Sequence, residues 1–207
     1  MTGFTSSHVR STALKASVAM DELKSVLNEA DARIGDGDTG SMLARVLKAL
    51  ADRANADKSE TVGATCLVLA QTAASSTGSS LGTLLATGLM SVGKATQENK
   101  EVDWSALGGL LAEAQQKMAA RGGASLGDKT ILDGLHAVAI AIAECNDQQS
   151  AAEAARRGAH AALDEFRQKP NRMGRARMFA NATIGLDDPG MLALAKLIEA
   201  IANDSQG

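Results

Sequence analysis

Residues 61–93 read TVGATCLVLAQTAASSTGSSLGTLLATGLMSVG. Two stretches, 61–75 and 81–93, are apolar on most sides, and a Ser/Gly run from Ser75 to Ser80 separates them. Helices of that kind pack inside a bundle. Residues 130–143 and 189–202 have the same character, which points to an all-α protein with several enclosed helices. The composition agrees. Pro occurs only twice, Tyr is absent, and there are one Trp and three Phe, so Ala, Leu, Met and Gln set the local preference, and it is helical.

Working outward from this pair, the pattern predicts eight helical segments. The first covers 6–30, with Leu14, Val18, Leu23, Val26 and Leu27 at helical spacing. The others cover 41–54, 60–75, 81–97, 104–120, 130–145 and 150–167, and a last helix is opened by Pro189, as a proline in the first turn can do. No Pro/Ser-rich linker divides the 207 residues, so the expectation is one domain over 1–207, long enough to bury its own core. Four connections are polar: 31–40, 75–83, 121–130 and 174–190. In an antiparallel up-and-down bundle the connections after helices one, three, five and seven emerge at the same end. These four follow those helices, so they are expected to converge on one rim as a composite site.

Charge and composition narrow the function. The formal net charge is -3 with both signs interspersed, so neither the Lys/Arg clusters nor the aromatic platforms of nucleic-acid binding are present. The start, MTGFTSSHVR, has no apolar signal region, and no run reaches membrane-spanning length. Hence no nucleic-acid or membrane partner is expected, and the expected location is cytoplasmic. Cys66 and Cys145 lie far apart and read as buried free thiols of a reducing compartment. His8, His136 and His160 share no loop with the polar connections and are assigned to packing or surface.

The first polar connection is Asp31-Ala-Arg-Ile-Gly35-Asp36-Gly37-Asp38-Thr39-Gly40. Three carboxylates within eight residues repel one another unless a cation neutralises them. Carboxylate oxygens suit magnesium, which keeps positions free for phosphate oxygens. Taken alone, the loop serves equally well as a solvated, helix-capping turn. Its Gly35-x-Gly37-x-x-Gly40 spacing imitates a dinucleotide fingerprint, but a helix rather than a strand precedes it. The calcium-loop pattern fails because Met42 or Leu47 stands where Glu is required.

The second connection, Ser75 to Thr83, offers backbone N–H groups at a helix start, where an anion is favoured. An ordinary Ser cap explains it too. The third, Arg121-Gly122-Gly123-Ala-Ser125-Leu-Gly127-Asp128-Lys129-Thr130, nearly imitates a P-loop. Asp128 interrupts the pattern and no strand precedes it, so Asp128 is expected as the cap of the sixth helix. In the fourth, Arg175 and Arg177 are candidate phosphate clamps, and Asp188-Pro189-Gly190 opens the last helix.

Taken in order, these strings resemble the nucleotide-binding subunit of the dihydroxyacetone kinase family. The strings are Asp31…Ile-Gly-Asp-Gly-Asp-Thr-Gly40, the Ser/Gly run ending Gly82-Thr83, Gly127-Asp-Lys-Thr-Ile-Leu-Asp133, and Gly174-Arg-Ala followed by Ile184-Gly185…Asp188-Pro-Gly190. The resemblance implies an eight-helix antiparallel barrel with ADP or ATP at one rim. It implies that Asp31, Asp36 and Asp38 hold two magnesium ions. It places Thr39, Gly40, Ser41 and Met42 beside the phosphates, Ser79 and Ser80 on the nucleotide, and Gly122 and Ile131 near the nucleoside. Arg175 then contacts the nucleotide, and Asp188, Pro189 and Gly190 close over it. This chain departs from the family at Thr39, where His is common, in a shorter Ser/Gly run, and at Arg177, where Ser is usual.

By the same resemblance the chain is half of a kinase, and phosphoryl transfer is supported by Asp31, Asp36, Asp38 and Arg175. The implied partner is a ketose-binding kinase subunit, in a homodimer or hetero-complex. In the favoured branch a phosphotransferase-system protein donates the phosphoryl group and ADP stays bound. In the alternative, ATP exchanges freely and the substrate is another small ketose, such as a four-carbon one. Two rival readings are a regulatory nucleotide-binding module that engages a transcription factor, and the nucleotide-binding part of a fatty acid kinase.

Overall fold

Sequence periodicity becomes eight α-helices among the described residues. These are α1 (Ser6–Ala32), α2 (Thr39–Ala56), α3 (Val62–Ser76), α4 (Ser80–Ala95), α5 (Leu107–Gly122), α6 (Ile131–Ala141), α7 (Gln148–Arg167) and α8 (Pro189–Asn203). The structure is a computed structural model that describes residues 3–203. Residues 1–2 and 204–207, which the expected domain span includes, lie outside the described residues. Each helix packs on the next in sequence, and α8 returns onto α1, so the eight close into a ring. Sequential neighbours packed side by side through mostly short connections run antiparallel, and the one long connection joins α7 to α8.

Two apolar clusters fill the ring. One joins Leu27 of α1, Val46 and Leu50 of α2, Val62 and Leu69 of α3 and Ala193 of α8. The other joins Val138 of α6, Ala159 and Leu163 of α7, and Met191 and Ala195 of α8. Leu107 and Leu192 border both. Alanines at many of these positions let helices approach closely with little side-chain entropy lost.

At the end where α1 begins, the barrel is bolted by Arg10. Its guanidinium meets Asp57 at 3.2 Å, the Ser59 carbonyl at 2.9 Å and the Ser6 hydroxyl at 3.1 Å. Burial raises the Asp57 carboxyl. Hydrogen bonds from Ser59, Thr65 and Arg10 outweigh it and hold the group below its ordinary value. The acidic connection lies at the other end of α1, about 40 Å away at 1.5 Å per residue.

Three features depart from the sequence expectations. Phe4–Thr5 and Glu101–Val102 form a two-residue antiparallel pair, β1 with β2, with Phe4 opposite Val102. Phe4 and His8 stack and Trp104 meets both edge-on, with ring centroids 5.4–5.6 Å apart, so His8 packs against aromatics. The basic connection 168–187 contains 3-10 turns over Ala176–Thr183. Cys66 is buried, and burial pushes its thiol up to about 12, but Cys145 is only half-buried, contrary to expectation. No helix among the described residues is long and apolar enough to cross a membrane.

Leu27 is fully buried between α1 and its neighbours. Leu27→Ala is expected to cost about 3 kcal/mol by lost transfer and cavity formation. Urea denaturation followed by circular dichroism checks this, through a lower midpoint at unchanged slope.

Candidate functional site

The last turn of α1 supplies Asp31, and the connection to α2 folds back over it. Asp31 is buried, and its Oδ2 accepts the N–H groups of Asp38 at 2.9 Å and Thr39 at 3.1 Å. That anchor pulls the loop tightly around one carboxylate. A Cβ on Gly35 would collide with the Asp31 carboxylate, and Gly37 turns the chain with φ +77°, so both positions need glycine. The turn brings Asp36 and Asp38, both exposed, beside Asp31. One oxygen from each of the three lies within 4.8 Å of the others. An all-oxygen carboxylate set of this span fits a hard divalent cation better than a soft one.

Two further residues frame the cluster. Arg175, in the connection before α8, pairs with Asp36. Both side chains are substantially exposed, so the pair is weak and replaceable. Asn28, one turn before Asp31, accepts the Ser41 N–H at 3.0 Å and donates to the Ser41 hydroxyl at 2.9 Å. It thereby holds the start of α2 against α1. Sequence reasoning missed Asn28 because it sits inside a helix with no local motif.

The first turn of α2 contains Thr39, Gly40, Ser41 and Met42. The Met42 side chain is in the core, and its N–H donates to the Asp38 carbonyl at 2.8 Å. Ser79 caps α4 by accepting the Gly82 N–H at 3.0 Å, and Ser80 is exposed beside it. Arg45, in the second turn of α2, reaches the carbonyl of Ser76, the last residue of α3, at 3.4 Å. Gly122 ends α5 next to Leu84 of α4, and Gly190, second in α8, lies next to Ile131 of α6.

The third and fourth connections meet through Lys129. Its side chain is buried, and its ammonium donates to the carbonyls of Lys169 at 2.7 Å, Thr183 at 2.9 Å and Arg167 at 3.3 Å. Burial pulls this ammonium below its ordinary pKa, against the supporting charges of Asp188 and Asp187. The Lys129 backbone is left-handed at φ 61°, which costs a residue with a Cβ about 1 kcal/mol. Asn171 donates to the Lys129 carbonyl at 3.0 Å and to Asp188 at 2.8 Å. The expected cap also needs correcting. Thr130, with Asp133 in a reciprocal capping box, caps α6, while Asp128 accepts the Ser125 N–H at 2.8 Å. Thr130 with Asp133 three residues on is the spacing that could have shown this.

The four polar connections therefore do meet at one end. Asp31, Asp36, Asp38 and Arg175 form one cluster. The Asp188-Pro189-Gly190 turn joins the Lys129 network, and Arg177 is exposed on the 3-10 segment.

These features define a class: a closed ring of antiparallel helices whose mouth carries carboxylates spaced for a hard cation beside several helix N-termini. The chain belongs to the DAK2 domain family, whose model matches residues 33–203. Asp31 lies just before that match. The chain is 30% identical over 179 residues to L-erythrulose 1-kinase of Mycolicibacterium smegmatis, covering 84% of this chain and 31% of that one. It is 26% identical to the ADP-binding subunit DhaL of the PEP-dependent dihydroxyacetone kinase of Escherichia coli, covering 83% of this chain and 84% of that one. The chain thus spans about a third of the length of the erythrulose kinases it matches. The crystal structure of the dihydroxyacetone kinase of C. freundii in complex with AMP-PNP and Mg2+ superimposes with a TM-score of 0.72. It is 24% identical and covers 98% of this chain and 34% of that one, which establishes a shared fold.

Burial pushes the Asp188 carboxyl up to about 6, although N–H groups of Met191 and Gly190, the Asn171 amide and Lys129 pull it down. The folded group holds its proton more tightly than an ordinary carboxyl of 3.8. Its contribution to stability is full below that ordinary value and is lost as pH rises through about 6. Urea unfolding from pH 4 to 7 is expected to show wild type losing stability relative to Asp188→Asn, which keeps a cap without the charge. Parallel curves would refute the assignment.

Proposed function

We propose that this chain is the nucleotide-binding subunit of a dihydroxyacetone-type kinase, folded as one domain and holding ADP or ATP through two magnesium ions on Asp31, Asp36 and Asp38. The observation that carries this reading is the convergence of three carboxylates and Arg175 at one mouth of the ring. Membership of the DAK2 domain family supports it. So do the relatives named as ADP-binding subunits, which the chain matches over most of their length.

Each residue has a task in this reading. Asp31 is anchored by two backbone N–H groups, so it holds its oxygen in place while Asp36 and Asp38 complete the set. Bound magnesium supplies the positive charge that lets phosphates approach these acids. Thr39, Gly40 and Ser41 present the start of α2, and Ser79 and Ser80 the start of α4, where partial positive charge favours an anion. Arg175, released from Asp36, pairs with a phosphate. Gly122 and Ile131 border the nucleoside, and Asp188-Pro189-Gly190 bounds the nucleotide on the α8 side. In this reading the ketose sits on a separate subunit. Catalysis then rests on positioning and charge neutralisation.

The favoured donor is a phosphotransferase-system protein that recharges bound ADP, because the chain matches separate ADP-binding subunits nearly end to end. A second reading, ATP-dependent phosphorylation of a four-carbon ketose, is supported by the 30% identity to an L-erythrulose 1-kinase.

Asp36→Ala is expected to weaken Mg·ADP binding by at least about 100-fold, since a charged partner of the phosphate-bearing cation is lost. The thermal midpoint should hold, because Asp36 is exposed. Isothermal calorimetry checks it. Wild-type affinity in the variant would remove the carboxylate rim from the nucleotide site.

A further inference from the structure

The carboxylate rim leaves unexplained the most unusual side chain in the molecule. Lys129 is among the largest fully buried side chains, and it is the one non-glycine with positive φ among the described residues. An ammonium out of water needs acceptors in every donor direction, and Lys129 has three: the carbonyls of Arg167, Lys169 and Thr183. Arg167 ends α7, Lys169 lies at the start of the connection that leads to α8, and Thr183 ends its 3-10 segment. The Lys129 carbonyl in turn accepts from Asn171, whose amide also reaches Asp188. The Asp128 carbonyl beside it takes the Arg172 N–H at 3.0 Å. A backbone held in a sparsely populated conformation persists where its surroundings over-determine it. Here the surroundings are the two feet of the segment that carries Arg175.

We propose that Lys129 is a positioning residue for the nucleotide: its ammonium clamps both feet of the 168–183 segment, so that Arg175 is presented to the carboxylate rim and Asp188 to Gly190 are held beside Ile131. The Lys129 ammonium bonds to backbone carbonyls and not to the rim acids; it acts through the backbone it gathers. The proposal rests on the nucleotide reading above for its ligand, but the clamp itself is a property of the unliganded chain. A P-loop lysine would reach a phosphate. This one is turned inward and consumed by carbonyls.

The test compares the full chain with Lys129→Met, which keeps the stem and removes the donors. Manganese binding alone is followed by electron paramagnetic resonance, Mn·ADP binding by calorimetry, and nucleotide-free amide exchange by mass spectrometry. The expected result is manganese affinity within about twofold of wild type, Mn·ADP affinity weaker by about tenfold or more, and faster exchange over residues 170–186. Unchanged Mn·ADP affinity and unchanged exchange would overturn the proposal. A parallel fall of both affinities would also overturn it, because it would mark a merely structural lysine. Should Lys129→Met fail to fold, Lys129→Gln decides the matter by the same three readouts, since its shorter neutral amide offers two donors where the ammonium offers three. Wild type that binds no Mn·ADP would sink the nucleotide reading instead, while the exchange comparison would still decide whether Lys129 holds the segment.

Discussion

Like charges crowded at one mouth need a counter-charge, and the architecture around Asp31 is organised by that need. Asp31 is taken out of water by the last turn of α1 and fixed by the N–H groups of Asp38 and Thr39. Once it is fixed, the loop has only one compact course, and glycine at 35 and 37 makes that course possible. The same bonds set where α2 starts, and Asn28 secures that start from the side of α1. Arg175 reaching across to Asp36 shows the cluster already drawing positive charge from a distant part of the chain. A divalent cation meets the same demand more strongly and leaves room for phosphate oxygens.

Much of this was legible because it is local. The apolar stretches at 61–75 and 81–93 became α3 and α4, since a helix apolar all round has nowhere to go but inside. The Asp/Gly connection was legible because charge repulsion and backbone freedom are written in adjacent residues. What could not be read depends on distant partners. Two-residue strands at Phe4–Thr5 and Glu101–Val102 are too short to carry any period. Lys129 looked like a fragment of a phosphate loop, and only carbonyls 38 to 54 residues away reveal its inward course. Asp128 was expected to cap α6, but Thr130 with Asp133 offers two reciprocal bonds and so takes that role.

The two ends of the barrel divide the work. Near the start of α1, Arg10 and the buried Asp57 tie α1 to the end of α2, and that end shows no cation-type cluster among the described residues. At the other end, Asp31, Asp36 and Asp38 gather, with Arg175 paired to Asp36. In the relatives that are about three times as long, this unit is one part of a larger chain. In the separate ADP-binding subunits it is nearly the whole.

Native mass spectrometry of the purified protein with ADP, before and after chelation, tests the central claim most directly. The account predicts a complex of one ADP with two magnesium ions that loses nucleotide and metal together when the metal is removed. Nucleotide retained by the chelated protein, or bound equally well without any divalent cation, would contradict it.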